Sequence, residues 1–196
     1  SKNAFLTATN VVFVPYLLWF VFRQKPTKKE VIASIVCVVG IALLTLKPDA
    51  LVLGVGDVLS LICALFFAMH IISLERYSAH TDALCMTALQ MISAGVVSAV
   101  CALLFETAPK GVPVSAFGNM FYLIFVSTLL AYLLQTFAQK YTTANSASLI
   151  LSMEALFASI FSYFLLGEVM TPLMLAGASL IFGSVIFLEY KPKNRR

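Results

Sequence analysis

Charge is scarce in this chain: Asp, Glu, Lys and Arg make up 11% of its 196 residues, where soluble domains carry about 25%. With 61% hydrophobic residues and a mean hydropathy of +0.96, that scarcity excludes a water-soluble globular domain and leaves a polytopic membrane protein. Histidine is rarer still, with only His70 and His80. Cys37, Cys63, Cys85 and Cys101 lie inside apolar runs, with no CxxC and no histidine at ligand spacing, so they read as small apolar fillers rather than disulfide or metal ligands. There is no GxSxG, HExxH or Walker-type loop, which removes support for hydrolysis and for ATP-driven pumping. An intramembrane protease needs Ser with His or two Asp at midplane, whereas Asp57 and Asp82 stand at helix starts and the histidines at or past a helix end. Lysine is absent from every apolar run, so a retinal Schiff base has no anchor. The net charge of +4 sits mostly in short loops and the tail, which points to orientation rather than to nucleic acid. No enzyme activity and no cofactor are expected.

What remains is apolar. Seven runs stand out: Ala4–Phe22, Val31–Leu46, Val58–Leu74, Ala83–Phe105, Val114–Phe137, Ala147–Leu166 and Leu173–Leu188. The second and last are short, but snorkelling flanks and local thinning let such segments span. Ala4 onward reads as a full span without a cleavage site, so no signal peptide is expected.

The breaks carry helix-start chemistry. Thr27 and Glu30 have the T-x-x-E spacing of a capping box, which predicts a second helix beginning just after Pro26. Thr171 before Pro172 reads as N-cap and first helical position. Asp57 and Asp82 are expected to cap the third and fourth helices, and Glu75–Arg76 to form a solvated helix end. Ten basic residues, Arg23, Lys25, Lys28, Lys29, Arg76, Lys140, Lys191, Lys193, Arg195 and Arg196, fall on one side, and three, Lys2, Lys47 and Lys110, on the other. This asymmetry puts the C-terminus and the Arg23–Lys29 loop in the cytoplasm.

One acid breaks the apolar pattern. Glu154 lies in SASLILSMEALFASIFSYFLLGE, residues 146–168, with no other charge between Ser146 and Gly167. Counted from Asn145 at about 1.5 Å per residue it lies roughly 13 Å deep, near the middle of a hydrocarbon layer about 30 Å thick. An acid at that depth costs about 2.5–3.5 kcal/mol, so it is expected to face a polar cavity, to pair, or to be protonated. Two readings stay open: a buried acid that fixes helix packing, and a carboxylate that exchanges a proton or meets a cationic substrate group. On the same helix Ser148, Ser152, Ala155, Ser159 and Ser162 form a small stripe, read first as a surface for close helix approach and second as substrate contact. Glu154 points away from its centre, with Ala147, Leu151, Ala158 and Phe161.

A weak internal repeat is also present. Residues 33–40, ASIVCVVG, resemble 176–183, AGASLIFG, each with a small residue six positions before a glycine. Each lies in a short helix that follows a longer one across a turn with Thr and Pro, and the pairs are five spans apart, so they cross in opposite senses. Inverted repeats of this kind mark secondary transporters, with the site at the repeat interface near midplane. Five spans per repeat predict ten, so the seven present read as a fragment lacking the first three.

Three stretches carry a family resemblance: FLTATNVVFVPYLLWFVFRQKPTKKE, GDVLSLICALFFAMHIISLERYS and LLAYLLQTFAQKYTTANSASLILSMEALFASIFSYFLLGE. Their order and loop lengths resemble the EamA-type permeases of the drug/metabolite transporter superfamily, from the fourth to the tenth helix of the family pattern. The resemblance implies ten helices in two inverted five-helix halves, cytoplasmic termini, and movement of amino acids, other metabolites or drugs. The family's usual Glu-Pro in the ninth helix is here Glu154–Ala155, which removes the expected source of a local kink.

The fold expected is therefore all-α: seven transmembrane helices of a ten-helix, two-half inverted-repeat transporter. Residues 1–48 would hold the last two helices of the first repeat, 55–190 the complete second repeat, and 191–196 a basic cytoplasmic tail. The function expected is secondary active transport of small organic metabolites across the bacterial inner (plasma) membrane by alternating access; a non-transporting structural membrane subunit is the alternative. Candidate substrate- or proton-binding residues are Glu154, Asn10, Tyr16, Trp19, His70, Gln90, Tyr132 and Gln135, since aromatic walls with a few polar groups suit organic solutes. Each apart from Glu154 has packing or an interhelical hydrogen bond as its plainer reading, and Trp19 also suits the membrane interface. Expected partners are the lipid bilayer, a small-molecule substrate and protons; a homo-oligomer is left open.

Overall fold

The structure, a computed structural model, describes residues 2–45, 54–107, 111, 113–167 and 169–190, with the side chains of 2–4 and 115 left aside. Among the described residues every regular element is helical. In order they are α1 (Lys2–Ala8), α2 (Asn10–Phe22), α3 (Lys28–Thr45), α4 (Val55–Ser78), α5 (Ala83–Phe105), α6 (Val114–Tyr122), a π-helical segment (Leu123–Leu130), α7 (Ala131–Gln139), α8 (Ala144–Leu151), α9 (Met153–Leu166) and α10 (Pro172–Glu189). These group into seven rods, because α1–α2, α6–π–α7 and α8–α9 each run on with only a local change in the ladder. Six are long and apolar enough to cross a membrane: Phe5–Phe22, Val55–Ser78, Ala83–Phe105, Ala116–Gln139, Ala144–Leu166 and Pro172–Glu189. The seventh, α3, opens on Lys28, Lys29 and Glu30, which shortens its apolar part.

Caps explain most boundaries. Thr27 N–H donates to Glu30 Oε2 at 2.7 Å and Glu30 N–H to Thr27 Oγ1 at 3.3 Å, the reciprocal bonds of a capping box. Asp82 Oδ1 accepts from Leu84 N at 2.9 Å and Cys85 N at 3.2 Å, and Thr171 Oγ1 from Met174 N at 3.2 Å ahead of Pro172. Asp57 differs from expectation. α4 starts two residues earlier, at Val55, and Asp57 in its first turn reaches back to accept from Gly54 N at 2.6 Å. At the other end α4 runs on to Ser78, so Glu75 and Arg76 lie within the helix. Two helices stop on a left-handed residue: Arg23 (φ 58°) gives its N–H to Leu18 O, and Gly167 (φ 67°) gives its own to Ser162 O.

The chain divides into two units, residues 1–73 with 143–196, and residues 74–142. In the first, one core joins Val11 of α2, Ala33, Cys37, Ile41 and Leu44 of α3, Leu149 of α8, and Ala178 and Ile181 of α10. A second joins Val14 and Leu18 of α2, Ala68, Ile71 and Ile72 of α4, and Ala144 and Ala147 of α8. The repeated segments meet here: α3 and α10 pack so closely that a Cβ placed on Gly40 would lie 2.8 Å from Gly177 O. They run antiparallel, since Lys29 at the start of α3 bonds to the end of α10. Two buried hydroxyls return their protons to their own helices, Ser152 to Ser148 O at 2.9 Å and Ser184 to Ile181 O at 2.7 Å, so neither is an orphan donor in the apolar interior.

In the second unit, α5 packs against α7 with Thr87 and Thr136 buried. Much of its apolar surface points outward, Leu103 and Phe105 being 86% and 83% exposed, as expected of helices solvated by lipid rather than by water.

Candidate functional site

Glu154 is carried by the α8–α9 rod. Thr143 caps it by accepting from Ser146 N at 3.3 Å, and the rod is interrupted at Ser152, two residues before the acid. At that interruption Ser152 Oγ donates to the carbonyl of Ser148, four residues back, a kind of bond that distorts helices. The small stripe divides along its length: Ser148 and Ser152 are buried, with the Cys37 thiol of α3 facing Ser152, while Ser159 and Ser162 are half-buried. Close approach of α3 accounts for its first half.

The other face of the rod begins inside and ends outside. Ala147 and Leu151 pack against α2 and α4; Glu154, Ala158 and Phe161, further along, are exposed. Among the described residues Glu154 makes no hydrogen bond or ion pair. Leu151 still packs with the α2–α4 cluster, whereas Glu154, three residues further on, is exposed.

The remaining candidates scatter. In the first unit Asn10 is buried on α2, Tyr16 and Trp19 on the same helix are 46% and 48% exposed, and His70 on α4 is half-buried with its ring 6.0 Å from that of Phe67. In the second unit Gln90 donates to Thr136 Oγ1 at 3.2 Å, tying α5 to α7, and also to Met86 O at 3.2 Å. Gln135 donates to Gln139 Oε1 at 3.4 Å within its own helix, and Tyr132 is half-buried. Gln90 and Gln135 are therefore engaged in hydrogen bonds of their own unit.

A polar cluster that the sequence reading did not single out as a site joins three helices at one end of the first unit. Glu30 Oε1 accepts from Asn145 Nδ2 at 2.7 Å while its other oxygen serves the Thr27 cap. Next to it, Lys29 Nζ donates to Leu188 O at 2.8 Å and Tyr190 O at 2.6 Å and stands 5.7 Å from the Phe187 ring centre. A cation at the carbonyl end of α10 complements that helix's dipole. Adjacent residues of one turn thus hold the start of α8 and the end of α10. Their charged types and T-x-x-E spacing were visible, but partners 115 and 159 residues away were not.

Comparison with known proteins places these helices. A relative from Archaeoglobus fulgidus, described as an uncharacterized transporter, is 31% identical over 191 residues, covering 97% of this chain and 61% of the relative. The chain thus spans about three-fifths of that protein's length. A protein of known crystal structure superposes with a TM-score of 0.76 at 15% identity, over 96% of this chain and 66% of the other, which shows a shared fold. Residues 54–190 match the EamA-like transporter family. Six apolar rods and that match make this a multi-pass membrane protein. By a match over more than half its length, the chain belongs to the EamA-like transporter family.

Proposed function

We propose that the protein is a secondary active transporter that moves small organic metabolites, such as amino acids or drugs, across the bacterial plasma membrane. The observation that carries this reading is the packing of α3 on α10: two helices with related sequences run antiparallel with glycine backbones in contact. Oppositely directed repeats in contact supply the two related halves that alternating access requires. The C-terminus lies in the cytoplasm, on the side holding most of the basic residues. Glu154 meets the solute or the coupling proton; the cost of holding an acid near mid-bilayer supports that role, because such residues mark ion and solute pathways. Asn10, Tyr16, Trp19 and His70 offer the aromatic and polar lining, and Tyr132 remains a candidate in the second unit.

The test is a solute screen on the full-length protein in proteoliposomes, with amino acids and cationic drugs supplied with and without a proton gradient. Gradient-sensitive flux of at least one organic solute is expected. Absence of flux for both classes would favour a structural subunit instead.

A further inference from the structure

A groove lies between α3 and α10, with the buried Ser184 among its lining residues. The helix contact is closed at Gly40 and Gly177, but toward the Lys29 end it opens into this groove, of about 220 Å³, between Ile32 and Val36 of α3 and Ser179, Leu180, Gly183 and Phe187 of α10. Gly183 leaves space there, since a Cβ added to it would meet nothing within 4 Å. Ser179 takes no part as a free polar group, because its hydroxyl donates to Leu175 O at 2.9 Å. From Phe187 to Ser179 the groove descends about 12 Å at about 1.5 Å per residue, a depth suited to part of an extended hydrocarbon chain.

The mouth of the groove is basic. Lys28 lies four residues before Ile32 and eight before Val36, on one stripe of α3, and is exposed. Arg23 and Lys25, both exposed, precede it in the same short loop. The bond from Lys29 to Tyr190 O brings the end of α10 to this level. Two carboxylates stand at the same end: Glu189, which is exposed, and Glu30, which is held by Thr27 and Asn145. Arg23, Lys25 and Lys28, all exposed, precede a groove whose lining is mostly apolar. We infer that this groove is a binding site for an anionic phospholipid, with one acyl chain between α3 and α10 and the phosphate beside Lys28. Clusters of Lys and Arg next to a membrane-spanning helix attract anionic headgroups, and the slot adds shape to that attraction.

The experiment is native mass spectrometry of the full-length protein released from nanodiscs of phosphatidylcholine mixed with phosphatidylglycerol, with thermal unfolding in phosphatidylcholine alone as a control for the fold. The wild type is expected to retain phosphatidylglycerol over phosphatidylcholine. Lys28→Gln lowers that retention about fivefold, the factor one basic group near an anionic surface supplies. Gly183→Leu, which fills the slot, abolishes it. Neither variant unfolds below the wild-type temperature in phosphatidylcholine; if Gly183→Leu does not fold, Lys28→Gln decides alone. Equal retention of the two lipids by the wild type, or undiminished retention by Lys28→Gln, overturns the inference. So does a dimer, seen in the same spectra, that Gly183→Leu dissociates and that carries no lipid.

Discussion

Gly177 of α10 lies with its Cα against the carbonyl of Gly40 of α3: a Cβ added at 177 would stand 2.5 Å from that oxygen and 2.8 Å from Leu44 N. Backbone atoms on both sides leave no flexible group to give way. Replacing Gly177 by Ala must therefore part the helices, at a cost of about 1–3 kcal/mol for overpacking. Gly183, six residues before the helix end at Glu189, provides the contrast, because Ala there meets open space and gains helix propensity of up to about 1 kcal/mol. Reversible unfolding in detergent should show G177A destabilised and G183A unchanged or stabilised.

The Glu30–Asn145 bond joins α3 to the start of α8 at 2.7 Å. A double-mutant cycle with Glu30→Ala and Asn145→Ala should give a coupling of about 1.5 kcal/mol, the usual worth of a hydrogen bond to a charged group. Additive effects of the two substitutions would show that the bond adds nothing to the fold.

Lys29 holds the last carbonyls of α10. Lys29→Met keeps the aliphatic stem but removes both donors, at a cost of about 1 kcal/mol. Amide hydrogen exchange should accelerate in the final turn of α10 and stay unchanged near Gly177.

The N-cap at Thr171 is local and separable from the rest. Thr171→Ala should cost about 1 kcal/mol, as loss of a cap hydroxyl does, whereas Thr171→Ser should cost much less. Unfolding midpoints of the two variants measure the difference.

How far such features could be read from the sequence depended on their range. Thr27 with Glu30, Asp82, and Thr171 with Pro172 are contacts within one turn, so residue type and spacing sufficed. Asp57 was misplaced because a carboxylate in the first turn and one at the cap satisfy the same free N–H groups; only the backbone tells them apart. The repeat at 33–40 and 176–183 was visible, but not that Gly40 would meet Gly177 while Gly183 stayed open, because that depends on where the helices cross. The Gln90–Thr136 bond joins residues 46 apart, and helical periodicity says nothing about such a pair. The depth of Glu154 could be counted along its helix, whereas its exposure depends on which side of α9 the neighbouring helices pack against.

Glu154 is the residue on which the proposed transport turns. The direct measurement compares wild type with Glu154→Gln in full-length protein reconstituted in liposomes, following solute flux across a range of pH at matched protein incorporation. The variant is expected to reach the membrane normally and to lose transport or its response to the proton gradient. Undiminished flux with an unaltered pH profile would contradict the proposed role.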